Sequence, residues 1–96
     1  MKKDVIIVNT ARGLVTDEKA VADAVKEGKI GAFGTDVYSI EPVLEENPIF
    51  EIKDYPNVIL TPHMAWGALE ARQRCINEVS QNIVSYFSGQ IRNRVD

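Results

Sequence analysis

The sequence predicts an α/β domain of about three parallel strands, with a crossover helix and a long C-terminal helix. Three observations carry this. Short apolar runs occur at residues 5–8, 32–35 and 58–60, a helical stripe separates the first two, and each run leads into polar residues suited to carbonyl chemistry. In an open parallel sheet such polar ends share the carboxyl edge, where the ligand crevice lies.

Residues 5–8 read Val-Ile-Ile-Val, β-branched and apolar throughout. An unbroken run suits a strand covered on both faces, whereas a half-exposed strand would alternate. Thr16 is the expected cap of the first helix, with Asp17 and Glu18 in its first turn, where the helix dipole favours carboxylates. Ala20, Val21, Ala24 and Val25 supply one apolar stripe, and Gly28 fits the position just past the helix end. The second strand spans residues 30–37, completing a βαβ unit.

Residues 41–57 hold three of the four prolines, Pro42, Pro48 and Pro56. Little periodicity is present, so a surface connection with one helical turn is expected. Residues 58–60 form the third strand. From about Gly67 the pattern turns helical, with Leu69, Ile76, Val79, Ile83 and Phe87 on one face and Gly89 closing the helix. The tail from Gln90 to Asp96 is polar and carries no assignment.

The chain has 96 residues and a formal net charge of −3, without a basic block. That balance argues against nucleic acid or an anionic membrane as partner. No apolar stretch approaches the ~20 residues of a membrane span, and the N-terminus lacks the apolar core of a signal peptide. One cysteine, Cys75, cannot form an internal disulfide, so a cytoplasmic setting is expected. Without a second cysteine or a histidine near it, no metal site is expected either.

Gly28, Gly31 and Gly34 are spaced G-x-x-G-x-x-G at the entry to a strand. A dinucleotide fingerprint needs G-x-G-x-x-G in the turn from strand to helix, so Gly31 and Gly34 are read as packing glycines. Arg12 precedes Gly13 and follows a strand. Its planar fork suits bidentate binding of a carboxylate, although a solvated loop arginine is the plainer reading of this residue alone. His63, the single histidine, follows Pro62 at a strand end. With a carboxylate partner, Glu41 or Asp36, it would serve as a general acid near neutral pH. Trp66 fits a pocket wall and a core position equally well.

Three segments, Asn9-Thr10-Ala11-Arg12-Gly13-Leu14-Val15, Asp36-Val37-Tyr38-Ser39-Ile40-Glu41-Pro42 and Thr61-Pro62-His63-Met64-Ala65-Trp66, resemble in order the signatures of the NAD-dependent D-2-hydroxyacid dehydrogenases. The resemblance implies that residues 1–96 are the C-terminal half of a Rossmann-type dinucleotide-binding domain. It implies an oxidoreductase moving a hydride between NAD, with NADP not excluded, and a small 2-hydroxy or 2-oxo acid. Arg12 then binds the substrate carboxylate, His63 protonates the carbonyl oxygen, and Glu41 holds the imidazole protonated. Thr10, Ala11, Arg12, Asp36, His63, Met64, Ala65 and Trp66 are implied to line the cofactor. The run from His63 to Trp66 is similar to the glycerate dehydrogenase and hydroxypyruvate reductase branch.

Family members carry a substrate domain and a glycine fingerprint upstream, which this chain does not contain. The chain alone is therefore expected to be inactive, to bind dinucleotide weakly and to self-associate, and the parent is expected to be a homo-oligomer. Two other readings stay open: a dinucleotide-sensing corepressor of the same architecture, and an inactive folding unit.

Overall fold

The computed structural model describes residues 1–95. Asp96 lies outside the described residues. The chain forms two compact units, Met1–Ala65 and Trp66–Asp96.

The first unit is built on a three-stranded parallel sheet in the order β1 (Ile6–Asn9), β2 (Ala32–Thr35), β3 (Val58–Leu60). Ile7 stands opposite Phe33 and Phe33 opposite Val58, so one row of apolar side chains crosses all three strands on one face. Helix α1 (Glu18–Lys26) connects β1 to β2. Its N-cap is Asp17, whose carboxylate accepts the Ala20 amide at 2.9 Å. Thr16, the expected cap, instead donates its hydroxyl to the Gly13 carbonyl and ends a short 3-10 turn, Gly13–Val15. Past the helix end Gly28 adopts φ 63°, as expected of a residue with no Cβ in the left-handed region.

The helix turns its buried face along Ala22 and Val25, with Val21 and Ala24 half-buried and Ala20 exposed. The expected stripe is thus rotated toward Ala22. The core joins Ala22 and Val25 to Ile30, Phe33, Ile49 and Ile52. Ile49 and Ile52 come from a second 3-10 turn, Pro48–Ile52, capped by Asn47, which accepts the Ile49 amide at 2.9 Å. The connection between β2 and β3 is therefore not all surface. Its isoleucines, three apart, fall on one side of a three-residue turn and are 1% and 0% exposed.

On its other face the sheet departs from the expected cover on both sides. Ile6 and Val8 are each 69% exposed and Ile59 68%. The unbroken apolar run in β1 is paired with a covering layer on one face only. Of the two expected packing glycines, Gly31 is confirmed, since a Cβ there would sit 2.8 Å from the Asp4 carbonyl oxygen. Gly34 has ordinary space around it, with the nearest atoms at 3.9 Å.

The second unit is a single long helix, α2 (Leu69–Phe87), followed by Gly89 at φ 73°. The side chains of Leu69, Ile76, Val79, Ile83 and Phe87 are exposed. Arg92 returns to the helix, with Nη2 2.7 Å from Glu78 Oε2 and a second bond to Asn82. Cys75 is exposed, and among the described residues no helix is long and apolar enough to cross a membrane.

Because Ile52 is fully enclosed, Ile52→Ala should lower stability by about 2–5 kcal/mol, while Ile40→Ala at an exposed site should change it by under about 0.5 kcal/mol. Denaturant midpoints of the two variants check this; equal midpoints would remove the 3-10 turn from the core.

Candidate active site at the carboxyl edge of the sheet

The polar ends of β1, β2 and β3 meet at one edge, as parallel pairing requires. At the end of β1 the buried Asn9 organises the following turn. Its Oδ1 accepts the Ala11 amide at 3.1 Å, and its Nδ2 donates to the Arg12 carbonyl at 2.9 Å. Such a turn uses the short amide side chain as a substitute for backbone pairing. It leaves Thr10, Ala11 and Arg12 exposed, with Arg12 Nη1 donating to the neutral Ala11 carbonyl at 2.7 Å. Among the described residues no ion pair takes up the Arg12 charge.

Gly13 explains itself by contact. A Cβ at that position would lie 1.9 Å from the Tyr38 carbonyl carbon and 2.3 Å from the Ser39 nitrogen. Only a residue without a side chain lets the arginine turn lie flat on the peptide that leads toward Glu41.

Asp36, just past β2, is 3% exposed and accepts three hydrogen bonds. Thr61 donates its hydroxyl to Oδ1 at 2.5 Å, and the amides of Met64 and Ala65 reach Oδ1 and Oδ2, both at 2.8 Å. Burial, the largest single influence, pushes this carboxyl up. The Thr61 hydroxyl, the two amides and the nearby His63 together outweigh it and hold the group below its ordinary range. The segment so gripped contains His63, whose φ of 54° is left-handed and costs a non-glycine residue about 1–2 kcal/mol.

His63 Nδ1 and Glu41 Oε2 are 2.6 Å apart. Of the two carboxylates considered as its partner, Glu41 makes this contact, and Asp36 is engaged by the hydroxyl and amides. The other Glu41 oxygen accepts the Tyr38 amide at 3.0 Å. The hydrogen bond with His63, then the Tyr38 amide, hold Glu41 below the usual glutamate range, with the charges of His63 and Arg12 acting in the same direction. An ionised carboxylate only accepts, so Nδ1 carries the shared proton. Tyr38 donates its hydroxyl to the Thr61 carbonyl at 3.1 Å, and its own ionisation is pushed up by burial and by surrounding carboxylates.

The expected site residues thus divide. Glu41 and His63 touch, Asp36 underlies the His63 segment through Met64 and Ala65, and Arg12 acts on Glu41 through charge. Trp66 begins the second unit and is 61% exposed. Asn9, Thr61 and Tyr38 shape the site without having been singled out for a role, and Gly13, expected only to let the chain turn sharply after Arg12, also makes room for the Tyr38–Ser39 peptide. Their signal was available only as polar residues adjoining strand ends. Among the described residues no cluster of histidine, cysteine and carboxylates could hold a metal ion.

The structure is a parallel α/β sheet with a carboxylate–imidazole pair at its carboxyl edge, a pair chemically able to exchange protons. Residues 1–65 match the family model described as D-isomer specific 2-hydroxyacid dehydrogenase, NAD binding domain, and the chain belongs to that family. It is 40% identical over 96 residues to a glycerate dehydrogenase of Methylorubrum extorquens, spanning the whole chain and 30% of that protein. An acyclic imino acid reductase in complex with NADPH and D-Arg superposes with a TM-score of 0.76 at 34% identity, over 100% of this chain and 29% of its own. The D-lactate dehydrogenase of Lactobacillus jensenii with NAD+ does so at 0.70 and 26%, over 100% and 32%. The chain therefore spans about a third of the length of these relatives. The three-stranded sheet is part of a Rossmann-type NAD-binding domain.

The lowered Glu41 carboxyl has a consequence for acid stability. Between its folded pKa and the ~4.3 of a free glutamate the unfolded chain binds more protons, so stability rises with pH across that window and is lost as pH falls through it. Glu41→Gln should therefore be less stable than the parent above about pH 4.5, with the gap closing in acid. Urea midpoints at a series of pH values test this, and a gap independent of pH would contradict the assignment.

Proposed function

We propose that the protein containing this chain reduces a small 2-oxo acid to the D-2-hydroxy acid, with glycerate and hydroxypyruvate as the pair best supported. The observation that carries this is the 2.6 Å contact between His63 Nδ1 and Glu41 at the carboxyl edge of a parallel sheet, in a chain of this family. The relatives named above are oxidoreductases, which favours this reading over a corepressor and over an inactive folding unit.

In this reading His63 donates a proton from Nε2 to the carbonyl oxygen, and Glu41 orients the ring and offsets its charge. Arg12 receives the substrate carboxylate on a guanidinium that no ion pair occupies among the described residues. The dinucleotide, when bound, supplies the hydride. The residues present fit its nicotinamide end: Thr10 and Ala11 are exposed at the strand edge, and Asp36 Oδ2 keeps an acceptor position beyond its bond to Ala65, suited to a carboxamide N–H. His63, Met64, Ala65 and Trp66 complete the cofactor-side set of the proposal. NAD is the proposed cofactor, and the solved relatives with NAD+ and with NADPH keep NADP in view.

Residues 1–96 are then the C-terminal part of the dinucleotide-binding domain. The exposed thiol of Cys75 accords with a cytoplasmic location, and the absence of a basic block accords with a protein that engages neither nucleic acid nor membrane. We place the parent among homo-oligomers, on which sedimentation equilibrium of the full-length protein decides: a monomer at all concentrations would refute that part.

Oxidation of NADH by the full-length protein with hydroxypyruvate tests the activity. His63→Ala should lower turnover about 10²–10⁴-fold. Arg12→Lys, lacking the two parallel donors, should lower kcat/KM in the same assay. Full activity of the His63→Ala protein would end the proposal.

A further inference from the structure

We propose that Glu18 is a positioning residue for the Glu41–His63 pair, fastening to helix α1 the connection that carries Glu41. The inference rests on the reading of that pair as the proton-transfer group. Glu18 stands in the first turn of α1, where the usual service of a carboxylate is to the helix dipole and free amides. Its two oxygens do something else. Oε1 accepts the Ser39 amide at 2.8 Å, while Oε2 accepts the Ser39 hydroxyl at 2.5 Å and Asn47 Nδ2 at 2.9 Å. These anchor points lie on either side of Glu41 in the chain. One carboxylate therefore closes residues 39–47 into a loop tied to a rigid element.

The geometry between Ser39 and Glu41 shows why this reaches the site. The amide of Tyr38 donates to Glu41 Oε1, and the amide of Ser39, one residue on, donates to Glu18. Gly13 backs the same peptide, with no room for even a methyl group. Tyr38 is further tied through its hydroxyl to the Thr61 carbonyl, two residues before His63. The Tyr38–Ser39 peptide is thus held on one side by the arginine turn and on another by Glu18, and through the Tyr38 Cα it fixes the adjoining Val37–Tyr38 peptide, whose N–H is the one Glu41 Oε1 accepts. Glu41 Oε2 must then meet His63 Nδ1, and a bond of 2.6 Å leaves little slack. Asn47 joins the support to the core, because the same side chain whose Nδ2 reaches Glu18 caps the turn that buries Ile49 and Ile52.

Without Glu18 the Ser39 amide and hydroxyl turn to water and the connection can drift from α1. A displacement of about an ångström between proton donor and substrate costs up to roughly 10²-fold in rate. The proposed substrate binding at Arg12 should change little, since the bonds that close the arginine turn come from Asn9 and not from Glu18. The signature is therefore a fall in kcat without a matching rise in KM for the 2-oxo acid.

In the full-length enzyme Glu18→Ala should lower kcat about 10–100-fold with KM for hydroxypyruvate within about 3-fold of the parent. The acid limb of its kcat/KM profile should move to higher pH, because Glu41 loses the held donors that keep it ionised. Ser39→Ala, which removes the hydroxyl and keeps the amide bond to Glu18, should show a smaller change of the same kind and decides the matter should Glu18→Ala not fold. Glu18→Gln, which retains one acceptor, should recover part of kcat. Unchanged kcat and pH profile in Ser39→Ala and Glu18→Ala, alongside a strong loss in Glu41→Gln and His63→Ala, would overturn the role of Glu18 and leave the pair standing. Unchanged turnover in His63→Ala itself would overturn the reading on which the role depends.

Discussion

The carboxylate of Asp36 ties the end of β2 to the segment beyond β3, and the site takes its shape from that tie. Three donors converge on it, the Thr61 hydroxyl and the amides of Met64 and Ala65. Burying a charged carboxylate is costly unless its lone pairs are engaged, and here three fixed hydrogen-bond donors take up all but one acceptor position instead of a mobile cation. The group consequently stays ionised in spite of burial. What the bonds achieve locally is to hold His63 in a left-handed conformation that an unsupported chain would leave. Releasing either amide would relax the residue that carries the imidazole.

A second layer works on Glu41. Its carboxylate bridges the Tyr38 amide and the His63 ring, so its position depends on the backbone at Tyr38, and the next peptide, Tyr38–Ser39, rests on Gly13 and on the Glu18 bonds. The contacts are between elements distant in sequence and near in space. Parallel topology makes this possible, because it delivers the ends of β1, β2 and β3 to one edge with only a few residues from each needed to meet.

Legibility in the sequence followed the range of the interaction. The strands and both helices were readable because apolar periodicity is local, and Gly28 and Gly89 announced the helix ends through the conformation they permit. The cap of α1 was misread by one residue: Thr16 and Asp17 are both good caps, and which oxygen reaches the Ala20 amide is decided by the turn at Gly13. Ile49 and Ile52 were hidden because a 3-10 turn between prolines has neither a helical nor a strand period. The exposed face of Ile6, Val8 and Ile59 was not legible in the apolar runs themselves, which say only that cover is wanted, but in the small number of elements the chain supplies to provide it. At the site, Arg12, Asp36, Glu41 and His63 stood out by residue type at strand ends. Residue type alone left Glu41 and Asp36 both open as the partner and the family resemblance named Glu41, whereas the supporting roles of Asn9, Thr61 and Glu18 emerge only in the folded structure.

The distribution of charge at the edge explains how two carboxylates and an exposed arginine coexist there. At close range a carboxylate repels an incoming carboxylate by an amount that grows as water is excluded. Asp36 has its charge spread over a hydroxyl and two amides, and Glu41 sets its charge against the imidazole. Arg12, by contrast, bonds to the neutral carbonyl of Ala11 and is held outward by a turn that Asn9 closes. Its positive charge lowers the Glu41 carboxyl from a distance while remaining available for an anion. The site thus presents hydrogen-bonded acids beside an exposed cation, an arrangement that suits the 2-oxo acid of the proposed function, with its carboxylate next to the carbonyl.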